Sequence, residues 1–182
     1  MRGDAFLPGV LPQNSEVMNI IKVCEYISEK VGLLGVVFFP ALVGVCVIEV
    51  FARYVLNSPT IWAFDLTFMA HGSLFVTTGA YALQKQAHVK IDILSNKFPI
   101  KVQSGLNLVA YSFIFLPAVL LLTHATIKRT WSAYLTDEVE LVSAWGPLVW
   151  PFFLILSIGL LALVLQTVAE ITKNSIFLVK KT

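Results

Sequence analysis

Charged side chains are scarce in this chain: Asp, Glu, Lys and Arg make up 13% of its 182 residues, against 57% hydrophobic. An ordinary soluble domain carries about 25% charged and about 45–50% apolar residues. The missing charge means that much of the surface faces something other than water. A net charge of +2, with no basic patch interleaved with aromatics, excludes a nucleic-acid partner. Cysteine is nearly absent. Cys24 precedes the first apolar run and Cys46 lies inside it, so no disulfide is expected, and two cysteines without nearby histidines make no metal site. Both read as small buried hydrophobes. Also missing are a hydrolase elbow, a phosphate loop, a zinc motif and a paired-carboxylate site, so no enzyme is expected. No internal repeat suggests an inverted-repeat transporter. The first long apolar run begins near Val31, too far from Met1 for a cleavable signal peptide.

What is present is length without charge. Residues 31–48 run for 18 residues without Asp, Glu, Lys or Arg, 66–84 for 19, 102–127 for 26 and 141–169 for 29. About 20 helical residues cross the hydrocarbon of a bilayer. The expected fold is therefore an all-α integral membrane protein with four transmembrane helices and amphipathic flanking helices. The expected spans are about 31–56, 63–84, 102–127 and 147–170. They form one domain over 16–173, between a mobile segment 1–15 and a tail 174–182. Val17, Ile20, Ile21, Cys24, Ile27 and Val31 recur at helical spacing, so 16–30 reads as an amphipathic helix on the membrane surface or as an extension of the first span. Ile91, Leu94 and Phe98 could lay one apolar face of the inner link on the membrane. Pro99 breaks that segment before the third span, and Gly146-Pro147 precedes the fourth.

Basic residues orient the chain. Four spans put both termini and the middle link on one side, with ten Lys or Arg. The opposite side holds three: Arg53, Lys128 and Arg129. The positive-inside rule makes both termini cytoplasmic. Trp62, Trp131, Trp145 and Trp150, with Tyr54 and Tyr134, fall near the outer span ends, at the headgroup level that such rings prefer.

Polar residues inside spans need a reason. Glu49 and Arg53 share a helix face. Asn57, Ser58 and Pro59 then turn the chain, with Ser58 placed to cap the second helix and Pro59 at its first position. Asp65 follows. A triad of Glu49, Arg53 and Asp65 reads structurally as a staple between the first two helices and functionally as an ion or substrate pathway. His71 and His124 fall at similar depth and raise haem ligation, against the plainer reading of interhelical hydrogen bonds. Gly72, Ser73, Val76, Thr77 and Ala80, with Gly79 nearby, form a small-residue face for close helix packing. Pro40 and Pro117 are expected to kink their helices. Asp137, Glu138 and Glu140 read as a solvated outer loop or as a docking surface for a soluble protein.

The run Arg53-Tyr54-Val55-Leu56-Asn57-Ser58-Pro59, then Trp62 and Asp65-Leu66, resembles the helix one to helix two junction of the small membrane subunits (DctQ-like) of tripartite ATP-independent periplasmic (TRAP) transporters. Gly79-Ala80-Tyr81-Ala82-Leu83, then His88-Val89-Lys90-Ile91-Asp92, resembles the family's second signature. Asp65 stands where the family often has Glu. The layout covers roughly 16–173, and the specific motifs lie in 53–92. The resemblance implies a non-catalytic subunit in the cytoplasmic (inner) membrane of a bacterium or archaeon. Its implied partners are a large membrane subunit, which carries the substrate and sodium sites and moves like an elevator, and a periplasmic protein that binds an organic acid. On this reading Glu49, Arg53, Asn57, Trp62 and Asp65 hold the outer junction, and His88, Lys90 and Asp92 fix the inner link. No cofactor is expected. Membrane lipids are partners, and the inner basic residues suit anionic phospholipid. The alternatives are an autonomous homo-oligomeric transporter with Glu49 as its proton site, and a haem-bearing electron-transfer subunit using His71 and His124.

Overall fold

The computed structural model describes residues 15–85, 100–141 and 143–180, which fold almost wholly into helices. We number them α1 (Ser15–Tyr54), α2 (Ala63–Gln84), α3 (Ile100–Val109), a π-helical segment (Ala110–Phe115), α4 (Leu116–Leu135) and α5 (Trp150–Lys180). Among the described residues no strand forms, beyond an isolated antiparallel bridge between Val139 and Leu148. The segment 1–14 and the inner link with Ile91, Leu94, Phe98 and Pro99 lie outside the described residues.

Among the described residues three helices are long and apolar enough to cross a membrane: Glu16–Tyr54, Ser104–Leu135 and Trp150–Leu178. α2 has the length, at 22 residues, but Asp65, His71 and its Gly, Ser and Thr residues lower its apolar character. Those small residues are used for packing. Ser73, Thr77 and Ala80 are buried, as a close-packing face requires. A Cβ on Gly72 would meet the Phe152 ring of α5 at 3.0 Å, whereas one on Gly79 would meet nothing within 4 Å.

α1 is one unbroken helix of 40 residues through Pro40, about 60 Å long at 1.5 Å per residue. Segment 16–30 therefore continues the first span rather than turning onto the surface. Glu16 in its first turn and Arg53 in its last suit the helix dipole. The buried face of α1 carries Ile21, Cys24 and Ser28, followed by Gly32 and Gly35. A Cβ on Gly32 would stand 2.6 Å from Tyr81 Cβ, and one on Gly35 would overlap the Thr78 methyl. α1 and α2 thus form a tight antiparallel hairpin.

α5 is the hub. It packs against α1, α2, α3, the π segment and α4, whereas α4 leans on α5 and on the π segment that leads into it. The result is an open array with α5 between the α1–α2 hairpin and the third helical rod, not a closed bundle. The π segment lies just before Pro117. Leu116 N–H reaches Tyr111 O, five residues back. Proline has no N–H and its ring crowds the carbonyl four residues earlier, and a widened turn accommodates both. Pro151 sits in the first turn of α5, where its fixed φ suits a helix start.

Polarity is inverted relative to a soluble fold. Ser28, Asp65, Gln166, Thr167, Glu170 and Asn174 are buried, while Phe39, Phe68, Phe75, Phe113, Ile114 and Leu121 are exposed. Most inward hydroxyls bond a carbonyl on their own helix: Thr77 to Ser73 O at 2.6 Å, Thr123 to Val119 O at 2.7 Å, Thr167 to Leu163 O at 2.7 Å. Without water to solvate them, polar groups must be satisfied locally. Together with the three apolar helices, this makes the chain a multi-pass membrane protein.

Candidate functional site

The polar groups gather at the two ends of the array. At the end where α1 stops and α2 begins, Arg53 donates to Glu49 through Nε at 2.9 Å and Nη2 at 2.5 Å. The other Glu49 oxygen accepts from Thr60 N at 3.1 Å and from the Thr60 hydroxyl. Asn57, at φ 52°, supplies the left-handed turn that Asn tolerates better than most residues, and Ser58 N–H reaches back to Ala52 O at 2.9 Å. The loop is therefore held by a carboxylate from the preceding helix. This corrects the expected cap: α2 starts at Ala63 behind Trp62, with no side-chain cap, so Ser58 does not cap it and Pro59 is not its first residue. Both Glu49 oxygens are engaged in hydrogen bonds.

Asp65 does not join that pair. It is 3% exposed, and its carboxylate accepts from the Ser143 hydroxyl. Ser143 belongs to the strap 136–149 between α4 and α5. The strap is built from its own bonds. Asp137, at φ 45°, reverses the chain, and Glu138 N–H returns to Ala133 O at 3.1 Å. Glu140 N–H donates to Pro147 O at 2.9 Å and Val149 N–H to Glu138 O at 3.1 Å. Gly146, at φ 58°, closes the tip. These bonds occupy 147–149, so α5 opens at Trp150 rather than at 147. On the α4 side Arg129 pairs with Glu138 at 2.6 Å and lies over the Phe153 ring. The acidic loop is thus partly spent on an internal ion pair. The strap crosses the end of α5 and ties α4 to α2, which do not pack on one another.

The opposite end holds a network that sequence reasoning missed. Lys173 Nζ on α5 stands 2.5 Å from Glu25 of α1 and 2.7 Å from Glu170 of its own helix. Gln166 Nε2 donates to Glu170 at 3.1 Å, and the Gln166 carbonyl accepts from the Ser28 hydroxyl at 2.9 Å. Asn174 Nδ2 caps Glu170 O at 2.8 Å. Gln166, Ser28 and Glu170 are all buried. The only advance signal was the break of charge-free sequence at Glu170 and Lys173.

His71 and His124 are both exposed and sit on α2 and α4, which flank α5 rather than face each other. The fold therefore places the two histidines on helices that each pack on α5. Trp62 is half-buried at the start of α2. Tyr134 packs edge-on against Trp150 at 5.5 Å and beside Trp131 at 6.4 Å. His88, Lys90 and Asp92 lie outside the described residues.

The family model described as the DctQ component of tripartite ATP-independent periplasmic transporters matches residues 42–175. A curated relative is the sialic acid TRAP transporter permease protein SiaT of Haemophilus influenzae (strain 86-028NP). It is 32% identical over 108 residues, which cover 57% of this chain and 17% of that protein. The matched part of the chain therefore spans about a sixth of that relative's length. No solved structure matches.

Proposed function

Because the chain belongs to the DctQ component family of tripartite ATP-independent periplasmic transporters, we propose that it is the small scaffold subunit of such a transporter. The family is one of transporter components rather than enzymes. On this reading the chain crosses the cytoplasmic membrane of a bacterium or archaeon four times, with both termini in the cytoplasm. It holds a large elevator-type subunit that carries an organic acid with sodium. It also helps seat the periplasmic binding protein, and membrane lipids fill the seam between the subunits.

The observation that carries this reading is the open array itself. α1 and α4 each present a long apolar face that the other described residues do not cover, while the inward hydroxyls mostly bond carbonyls of their own helix and Gln166, Glu170 and Lys173 bond among themselves. A transporter working alone would direct polar groups at a passage; a scaffold spends them on rigidity. The match covers 17% of the SiaT permease protein, so in that relative the corresponding region is one part of a longer chain. α2 is proposed as the fourth span. Its 22 residues reach about 33 Å at 1.5 Å per residue, and its buried Ser73 and Thr77 face the protein, with Thr77 beside Gly35 of α1 and Gly159 of α5. Glu49, Arg53, Asn57 and Trp62 hold the outer junction in this proposal, Asp65 holds the strap, and His88, Lys90 and Asp92 serve the inner link.

The test is an affinity pull-down of the tagged chain from native membranes in mild detergent, with mass spectrometry of what accompanies it. A stoichiometric, larger polytopic protein is the expected companion. A chain that purifies alone, or only with itself, overturns the scaffold reading.

A further inference from the structure

The strap 136–149 carries an apolar tip where a solvated loop would carry charge. Leu141 is 88% exposed, and Val139, Trp145 and Leu148 are also exposed. From Leu141 to Trp145 the chain has no charged residue. The depth of this tip can be read from its neighbours. α5 starts at Trp150, and its 20 residues to Ala169, just before Glu170, have the length of the hydrocarbon core, which sets Trp150 at its other edge. Phe152 packs on Phe68 at 5.8 Å and against Gly72. Asp65, less than one turn before Phe68, therefore stands within about a helical turn, ~5 Å, of the level of Trp150. Ser143 is bonded to Asp65, which holds the tip at that level. On the α4 side Tyr134 packs edge-on against Trp150, and the exposed Trp131 continues the same ring of aromatics. The tip is thus continuous with an interfacial belt rather than raised above it.

We propose that the strap seats Leu141 and Trp145 in the headgroup region of the phospholipid bilayer, as an anchor fixed to the scaffold by Asp65 and Ser143. Interfacial segments bind in this way, through exposed apolar side chains at the boundary between headgroup and acyl chain, and indole rings favour that level. The inference rests on the membrane-spanning reading above, and the experiment separates the two. Leu141→Cys is made in a Cys46→Ser background, since Cys46 is exposed and Cys24 buried, and carries a bimane label. The full chain, with whatever subunit accompanies it, is placed in phosphatidylcholine–phosphatidylglycerol nanodiscs. Emission is read with spin-labelled headgroups, with chain-end spin labels and with aqueous iodide. Headgroup spin labels should remove most of the emission at 141, and iodide far less than it removes from free bimane-cysteine. Full quenching by iodide without quenching by spin-labelled lipid overturns the proposal. So does protection from both quenchers, which would mean that a protein covers the tip. A second label at the exposed Leu121 of α4 should respond to chain-end spin labels. If it does not, the spanning reading fails, while position 141 still reports on the strap.

Discussion

The ammonium of Lys173 on α5 lies 2.5 Å from the carboxylate of Glu25 on α1, across 148 residues of sequence. The same ammonium is 2.7 Å from Glu170, so one cation serves two carboxylates. Lys173 and Glu25 are each about one-third exposed, whereas Glu170 is almost fully buried. Removing the cation leaves Glu170 charged and desolvated, which costs more than losing the pair itself. Lys173→Met is expected to destabilise the purified complex by about 1–3 kcal/mol, below the range for a fully buried pair because part of the site is wet. Adding Glu170→Gln to Lys173→Met should recover much of that loss. Thermal unfolding of the single and double variants checks both statements, and a double variant worse than the single one would remove the buried-charge argument.

Glycine supplies a contrast within one pair of helices. A Cβ on Gly159 would meet Val76 Cγ1 at 2.8 Å and the backbone of Val76 and Thr77 at 3.0 and 3.1 Å. Backbone cannot move aside as a side-chain end can, so Gly159→Ala forces α5 away from α2, at about 1–3 kcal/mol for overpacking. A Cβ on Gly79 meets nothing within 4 Å. Gly79→Ala should be neutral or slightly stabilising, by up to about 1 kcal/mol from helix propensity. Melting temperatures of the two variants, measured side by side in the same detergent, decide whether the small residues act through close approach.

The split between these glycines shows how far sequence alone reaches. Scarcity of charge was enough to locate the long helices, because a run from Val102 to Ile127 without charge has few other uses. The small residues of α2 were legible as a packing face, but not which of them touch a neighbour. The choice of partner was hidden wherever it depends on the tertiary array. Asp65 has the charge to pair with Arg53, yet bonds Ser143, which stands 78 residues away. Ser58 has a good capping side chain, but Glu49 holds the following loop through Thr60, so the helix starts later. Gln166 and Ser28 are ordinary residue types 138 positions apart, and no local pattern announces their bond. The resemblance in 53–92 pointed to the family that the comparison with residues 42–175 then matched.

Glu49 and Arg53 should not behave as equal partners. Arg53 is half exposed, and among the described residues its side chain bonds only Glu49, whereas Glu49 also accepts from both the backbone and the hydroxyl of Thr60. Arg53→Ala leaves the Thr60 bonds in place. Glu49→Ala removes the acceptor that orders 57–62. Hydrogen exchange at Thr60 N–H should therefore quicken strongly in Glu49→Ala and little in Arg53→Ala. Equal effects would show that the ion pair, rather than the carboxylate–loop contact, sets the junction.

The strap yields the last prediction, because its two attachments differ in burial. Arg129 and Glu138 form a pair exposed to the surroundings, of the kind whose loss usually costs little. Asp65 is buried, and Ser143→Ala would strip it of its hydroxyl donor. An acceptor left unsatisfied in such a place costs about 1–3 kcal/mol. Release of the strap answers that cost: once it detaches, water reaches the carboxylate. Ser143→Ala should therefore raise the rate at which a protease cuts within 136–149, with little change in the melting of the helices. Asp65→Asn keeps an acceptor for Ser143 and should stay nearly as resistant as the parent. Arg129→Ala should fall closer to the parent than Ser143→Ala does. If Arg129→Ala releases the strap more readily, the anchor lies on α4 and the buried bond to α2 follows from it rather than holding it.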